Sequence, residues 1–94
     1  MLKHNTYFEG HVQSIGFERN GMKATVGAIA PGEYRFNTGA AERMTVISGQ
    51  LCARVGSGDW VSYPAGTYFE IAANSGFDVQ AVGGAAAYLC EFLG

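Results

Sequence analysis

An all-β fold with almost no helix is what the sequence predicts, and three observations carry that expectation. Turn dipeptides recur at intervals of about ten residues, among them Asn20-Gly21, Pro31-Gly32, Ser48-Gly49, Ser75-Gly76 and Gly83-Gly84, and each supplies the positive or fixed φ that a tight turn requires. The intervals between them are rich in Val, Ile, Thr, Phe and Tyr, whose branched or planar side chains fit a pleated surface. No segment keeps apolar residues at helical spacing for several turns, and the 14 glycines would each cost a helix about 1 kcal/mol relative to alanine. Short strands in this rhythm build a sandwich or a barrel.

The first expected strand, Thr6–Arg19, holds Phe8 and Val12 at even positions but Ile15 and Phe17 at odd ones, so a bulge near Gln13-Ser14 should switch its register. Met22–Ala30 follows. With Lys23 and Thr25 turned to water, its other face presents Ala24, Val26, Ala28 and Ala30, and Ala53 and Ala81 add further small inward groups. Such walls leave room, and a barrel of about eight strands can hold one small ligand; the opposing possibility is that Phe69, Phe77, Tyr88 and Phe92 interdigitate and fill the space. After Glu33–Thr38 comes Glu42–Ser48, which mixes polar and apolar residues on both faces, Glu42, Met44, Val46 and Ser48 against Arg43, Thr45 and Ile47. A strand of that kind lies at an edge or faces a lined pocket. Gln50–Val55 and Asp59–Tyr63 are further strands. In Gly66–Ala72, Phe69 and Ile71 point inward and Glu70 outward; in Phe77–Val82, Phe77, Val79 and Ala81 point inward and Asp78 and Gln80 outward; Ala86–Phe92 closes the series. Residues 1–94 read as a single domain without repeats or linker.

Composition excludes several functions. The net charge is −2, from six Lys and Arg against eight Asp and Glu, with no cationic run to neutralise a nucleic-acid backbone. The longest apolar stretch, Ala85 to Cys90, is far below the roughly 20 residues of a membrane span. Lys3, His4, Asn5 and Glu9 stand where a signal peptide would be apolar, so a cytoplasmic protein is expected. Cys52 and Cys90 lack CxxC spacing and a clustered histidine, and read as reduced thiols.

Two segments then resemble the cupin motifs. Pro31-Gly32, followed by Glu42, six intervening residues and Gly49, is similar to the second half of the first motif. Gly58, five residues, Pro64-Ala65-Gly66 and Phe69 resemble the second motif. The resemblance implies a cupin-type antiparallel jelly-roll barrel. Metal-dependent cupins hold an ion with three histidines and a glutamate. Here Phe36 and Thr38, or Arg35 and Asn37, stand where the first histidine pair falls, and Phe69 replaces the third. Only Glu42 remains, and one carboxylate does not make a zinc or iron site, so no metal is expected. His4 and His11 fall outside both motifs.

A second resemblance covers the whole chain. The runs Tyr7-Phe8-Glu9-Gly10-His11-Val12-Gln13-Ser14-Ile15-Gly16-Phe17, Gly32-Glu33-Tyr34, Met44-Thr45-Val46-Ile47-Ser48-Gly49 and Tyr88-Leu89-Cys90 look like the pyrimidine/purine nucleoside phosphorylase family of small cupins. That resemblance implies phosphate-dependent cleavage of purine and pyrimidine ribonucleosides to free base and pentose 1-phosphate. Phosphate is then a co-substrate and no cofactor is needed. A metal-free cupin that binds a small polar metabolite, or a metal-free sugar isomerase, is the alternative.

Residue roles follow from the chemistry. An aromatic platform suits broad base tolerance, because every base has a π-face; Phe69, Phe77, Tyr7 and Tyr88 are the candidates, each otherwise an ordinary core aromatic. Glu42 is the candidate catalytic acid, since burial raises a carboxyl pKa and ribose hydroxyls supply its hydrogen bonds; otherwise it is an exposed strand-edge glutamate. Met44 shares its face. For the phosphate, Arg35 and Thr38 lead, with Thr45, Ser48 and backbone N–H groups behind them, while alternation turns Arg43 away. Few edge charges make a homodimer the default assembly.

Overall fold

A computed structural model describes residues 2–94. It contains β1 (Lys3–Tyr7), a 3-10 turn (Phe8–Gly10), β2 (Val12–Arg19), β3 (Met22–Ile29), β4 (Gly32–Asn37), β5 (Glu42–Ser48), β6 (Gln50–Val55), β7 (Val61–Pro64), β8 (Tyr68–Ile71), β9 (Gly76–Ala81) and β10 (Ala86–Phe92). The expected all-β class is observed. The strands form two antiparallel sheets, one ordered β1-β2-β3-β10-β5-β8 and the other β4-β9-β6-β7. Their inner faces share one core, in which Val12, Ile29, Val46, Leu51, Ile71 and Val79 are the largest fully buried side chains.

Alternation assigns the faces of β8 and β9 as the sequence suggests. Phe69, Ile71, Phe77, Val79 and Ala81 are buried. Asp78 points to the outer face, where it lies between Arg35 and Arg54 in the register. The Arg54 hydrogen bond, then the charge of Arg35, holds its carboxyl below the usual carboxylate range against the opposing effect of desolvation.

Two expectations are corrected. The predicted first strand is two strands, because Phe8 and Glu9 adopt φ of 52° and 57° and Gly10 follows at 89°, a left-handed stretch that interrupts the pleat. The Phe8 ring packs against Tyr34 and Phe36, with centroids 5.0 and 5.5 Å away. Phe8 is therefore no guide to the face of β2. That strand pairs without interruption on both sides, Tyr7↔Val12 to Lys3↔Gly16 and Val12↔Ile29 to Arg19↔Met22, so there is no bulge at Gln13-Ser14.

The second correction concerns β3, whose faces are reversed. Thr25 and Ile29 look into the space between the sheets, whereas Val26 and Ala28 are exposed on the outside. Thr25 stands opposite Gly16 and Cys90, and Val26 opposite Ile15 and Leu89. Lys23 sits near the end of the strand, where either face reaches water, so its charge did not reveal the orientation. The room between the sheets therefore does not come from the alanines of β3. Gly27 makes room for the Tyr88 ring instead. A Cβ there would lie 2.5 Å from the Gln13 carbonyl oxygen and 2.8 Å from Cζ and Oη of Tyr88, so the tyrosine ring occupies the place of the missing side chain. Gly27→Ala is expected to cost about 1–3 kcal/mol by overpacking, and each kcal/mol lowers the melting temperature of a small domain by about 4–8 °C. Calorimetry measures it.

Candidate active site

Between the sheets lies a cavity of about 220 Å³, below the usual lower bound of about 300 Å³ for small-ligand sites, with Tyr7 as an exposed wall. Its aromatic wall draws on both sheets. Phe36 of β4 and Phe77 of β9 are direct cross-strand partners and stack with centroids 5.7 Å apart and planes 24° from parallel. Tyr7, at the end of β1, meets Phe36 edge-on at 5.8 Å and 85°, and Phe92 of β10 adds a fourth ring.

The six-stranded sheet supplies the polar side. Ser14 of β2, Thr25 of β3, Tyr88 and Cys90 of β10 and Glu42 of β5 all line the cavity. Register brings them together: Cys90 stands between Thr25 and Met44, and Phe92 stands opposite Glu42. Asn5 Nδ2 donates to Ser14 Oγ at 3.4 Å, and the Cys90 thiol donates to Glu42 Oε1 at 3.4 Å.

Electrostatics follow from burial. The Tyr88 hydroxyl is pushed up to about 12 by burial. Burial, then the neighbouring Glu42 carboxylate, pushes the Cys90 thiol up as well. Both are neutral donors near pH 7. Burial also raises Glu42 above its ordinary value of 4.5, partly offset by the Cys90 hydrogen bond. A carboxyl whose folded pKa is raised contributes stability that is complete below its unfolded pKa and is lost as pH rises through the folded one. The unliganded protein is therefore expected to lose stability as pH climbs from 4.5, and Glu42→Gln should remove that part of the dependence in denaturation measured across pH.

Of the residues expected at the site, Glu42, Met44, Phe77, Tyr7 and Tyr88 line this cavity. Phe69, Arg35, Thr38 and Ser48 do not. Phe69 is buried behind the platform, 4.7 Å from the Tyr63 ring and 5.9 Å from Phe77. Arg35 lies on the outer face and pairs with Asp78 at 3.3 Å, because the pleat puts it on the side opposite Phe36. Thr38 is buried, but its hydroxyl donates to the Ala72 carbonyl at 2.7 Å and accepts from the Ser75 N–H at 2.9 Å, tying β4 to the loop before β9. Ser48 is exposed, at the end of β5 where the ladder with β10 shifts register between Ala87 and Tyr88. Arg43 faces away, paired with Glu70 at 2.7 Å, as alternation requires.

Ser14, Thr25, Phe36, Asn37, Cys90 and Phe92 also line the cavity and were not singled out as substrate contacts from the sequence. For Phe36 a signal existed, since it stands where the cupin motif places its first histidine pair. Glu42 and Cys90 are the cavity's metal-capable carboxylate and thiol, and two such donors fall short of the three or four protein ligands of a zinc or iron centre. Among the described residues no three His, Cys, Asp or Glu side chains form a ligand group. The residues present do not fit the cupin metal.

Comparison with known proteins gives this arrangement a family. A relative from Sorangium cellulosum, named pyrimidine/purine nucleoside phosphorylase, is 62% identical over 94 residues, covering 99% of this chain and 100% of its own. A Vibrio cholerae protein of the same name is 55% identical over 94 residues, covering 99% and 98%. A solved structure of a protein of unknown function from Vibrio parahaemolyticus superposes with a TM-score of 0.93 at 46% identity, covering 99% of both chains. The iron(II) protein HppE, at 10% identity and a TM-score of 0.83 over 98% of this chain and 56% of its own, shares the fold alone. The family model for pyrimidine/purine nucleoside phosphorylase matches residues 2–92, a span that takes in both sheets and every wall of the cavity, and the chain belongs to that family.

Proposed function

We propose that the protein is a metal-independent nucleoside phosphorylase that converts purine and pyrimidine ribonucleosides and inorganic phosphate to free base and pentose 1-phosphate. The observation that carries this reading is one cavity joining stacked aromatic rings to a carboxyl with a raised pKa and a set of neutral hydrogen-bond donors. The base stacks on Phe36, Phe77 and Tyr7, a contact worth about 1–3 kcal/mol for any base, which suits broad specificity. Tyr88, Ser14 and Asn37 hold the ribose hydroxyls.

In the reaction the C1′–N bond breaks with its electron pair passing to the base, through an oxocarbenium-like transition state. Glu42 donates its proton to the departing nitrogen. A phosphate oxygen forms the new bond to C1′ from the opposite side, and the proton shed by the phosphate ester restores Glu42. Cys90 positions the carboxyl by donating to Oε1. Phosphate is the co-substrate, and no cofactor takes part.

The reading extends to a cytoplasmic homodimer that binds neither nucleic acid nor membrane. Support for self-association comes from the outer face of the six-stranded sheet, where Ile15, Val26 and Leu89 adjoin across three strands and Val26 is 40% exposed. Among the described residues no helix is long and apolar enough to cross a membrane.

Incubation with inosine or uridine plus phosphate should release free base, omission of phosphate should stop it, and a chelator should leave it intact. A metabolite-binding module or an isomerase would release no base from any nucleoside, and that result overturns the proposal.

A further inference from the structure

No Lys or Arg side chain lines the cavity, yet a phosphate dianion brought out of water needs counter-charge or a dense set of donors. Four of the six basic residues are engaged in ion pairs: Arg19 with Glu91, Arg35 and Arg54 with Asp78, and Arg43 with Glu70. Among the described residues, Lys3 and Lys23 are the basic side chains without an ion pair.

Register places both on the inner face. Lys3 lies on the same side of β1 as Tyr7, and Lys23 on the same side of β3 as Thr25 and Ile29, by the two-residue period of a strand. Tyr7, Thr25 and Ile29 all line the cavity, so the lysines continue that face beyond it. Between their strands runs β2, and Gly16 on it stands directly opposite Lys3 on one side and Thr25 on the other. Gly16 shares its face with Ser14, which also lines the cavity.

Nothing in the protein itself requires glycine at position 16. It is not among the residues of positive φ. A Cβ there would meet only the Lys3 carbonyl oxygen at 3.7 Å and Lys3 Cβ at 3.8 Å, ordinary contact distances. Gly27, in contrast, is explained by the Tyr88 ring. Glycine inside a strand costs roughly 0.5–1 kcal/mol relative to alanine, and where no bend or clash accounts for it, it marks a close approach of something else. The bare backbone at Gly16 is a floor. Strand spacing of about 4.8 Å sets the Cα atoms of Lys3 and Thr25 about 10 Å apart across it, room for a tetrahedral anion between an ammonium group and a hydroxyl.

We propose that Lys3 and Lys23, with Gly16 as floor and Thr25 as hydroxyl donor, form the phosphate subsite of the enzyme. The proposal rests on the phosphorylase reading and names its second substrate's site, in place of Arg35, Thr38 and Ser48. The lysines supply charge from the rim, where their flexible stems follow the anion, and Thr25 and Ser14 lead it toward the sugar. Glu18 stands opposite Lys23 in the register without an ion pair and weakens the field at that end, so Lys3 carries the larger share.

Steady-state kinetics with inorganic phosphate and inosine as varied substrates test this. Lys3→Gln should raise the phosphate KM about tenfold, the effect of losing one charge-assisted contact, and Lys23→Gln by a smaller factor, while the inosine KM stays within about twofold in both. Gly16→Ala should raise the phosphate KM without lowering the melting temperature, since its Cβ meets only Lys3 at ordinary contact distances and alanine avoids the entropic cost of a glycine in a strand. Arg19→Gln, an equal charge loss on the outer face, is the control and should leave the phosphate KM unchanged. An unchanged phosphate KM in both lysine variants, or equal rises in both KM values, overturns the subsite while wild-type phosphorolysis stands. Absence of base release by the wild type overturns the phosphorylase reading itself, and the subsite with it.

Discussion

Glu42→Gln is expected to lower kcat/KM for phosphorolysis by about 10²–10⁴-fold, the usual contribution of a positioned general acid, in a protein that still folds and still binds nucleoside. Glutamine keeps the shape of the side chain, and its carbonyl oxygen accepts the Cys90 thiol as Oε1 does, so the polar side of the cavity stays assembled. What it lacks is a transferable proton. The raised pKa of Glu42, due first to burial, keeps the acid form populated further toward neutral pH than an exposed carboxyl would be. The wild-type kcat/KM should therefore fall as pH rises through the Glu42 pKa, and the glutamine variant should lack that limb. Turnover near wild type in Glu42→Gln would remove the residue from the mechanism.

Phe77→Ala is the second large effect, and it falls first on stability. Phe77 is buried at 3% exposure, with Phe36 stacked on it at 5.7 Å and Phe69 edge-on at 5.9 Å. Truncating such a ring costs about 3–5 kcal/mol, from lost burial and the hollow left behind. A domain of this length has only about 5–14 kcal/mol in total at roughly 0.05–0.15 kcal/mol per residue. Chemical denaturation should show the loss directly. Phe77→Leu separates the two roles of the ring, because it retains apolar volume but has no π-face. It should be much milder in denaturant while raising the KM for inosine and uridine alike by about fivefold or more, at about 1–3 kcal/mol per stacked base. A rise confined to one base class would argue against generic stacking.

Much of the fold was legible because its causes are local. Glu42–Ser48, Gln50–Val55 and Ala86–Phe92 were delimited to the residue by the turn dipeptides beside them. The mixed faces of Glu42–Ser48 point to either an edge or a lined pocket, and Glu42 and Met44 do line one. The break at Phe8 was not legible. No glycine or proline announces it before Gly10, and Phe8 and Glu9 adopt their left-handed geometry although neither favours it. The pocket's polar side is not legible either, because Lys23 two residues before Thr25 makes that row of β3 resemble a solvent-facing one.

Alternation and turn chemistry, read from the sequence alone, determined the all-β class, the limits of β5, β6 and β10 and the inward sets of β8 and β9. These depend on φ preferences and on a side-chain period of two, which neighbouring residues settle between themselves. Only the tertiary structure decided which face of β3 looks inward, which aromatics line the cavity and which lie behind it, and where the arginines find their partners. Each of those depends on the residue across the ladder, such as Cys90 beside Thr25 or Asp78 beside Arg35, brought there from many positions away along the chain.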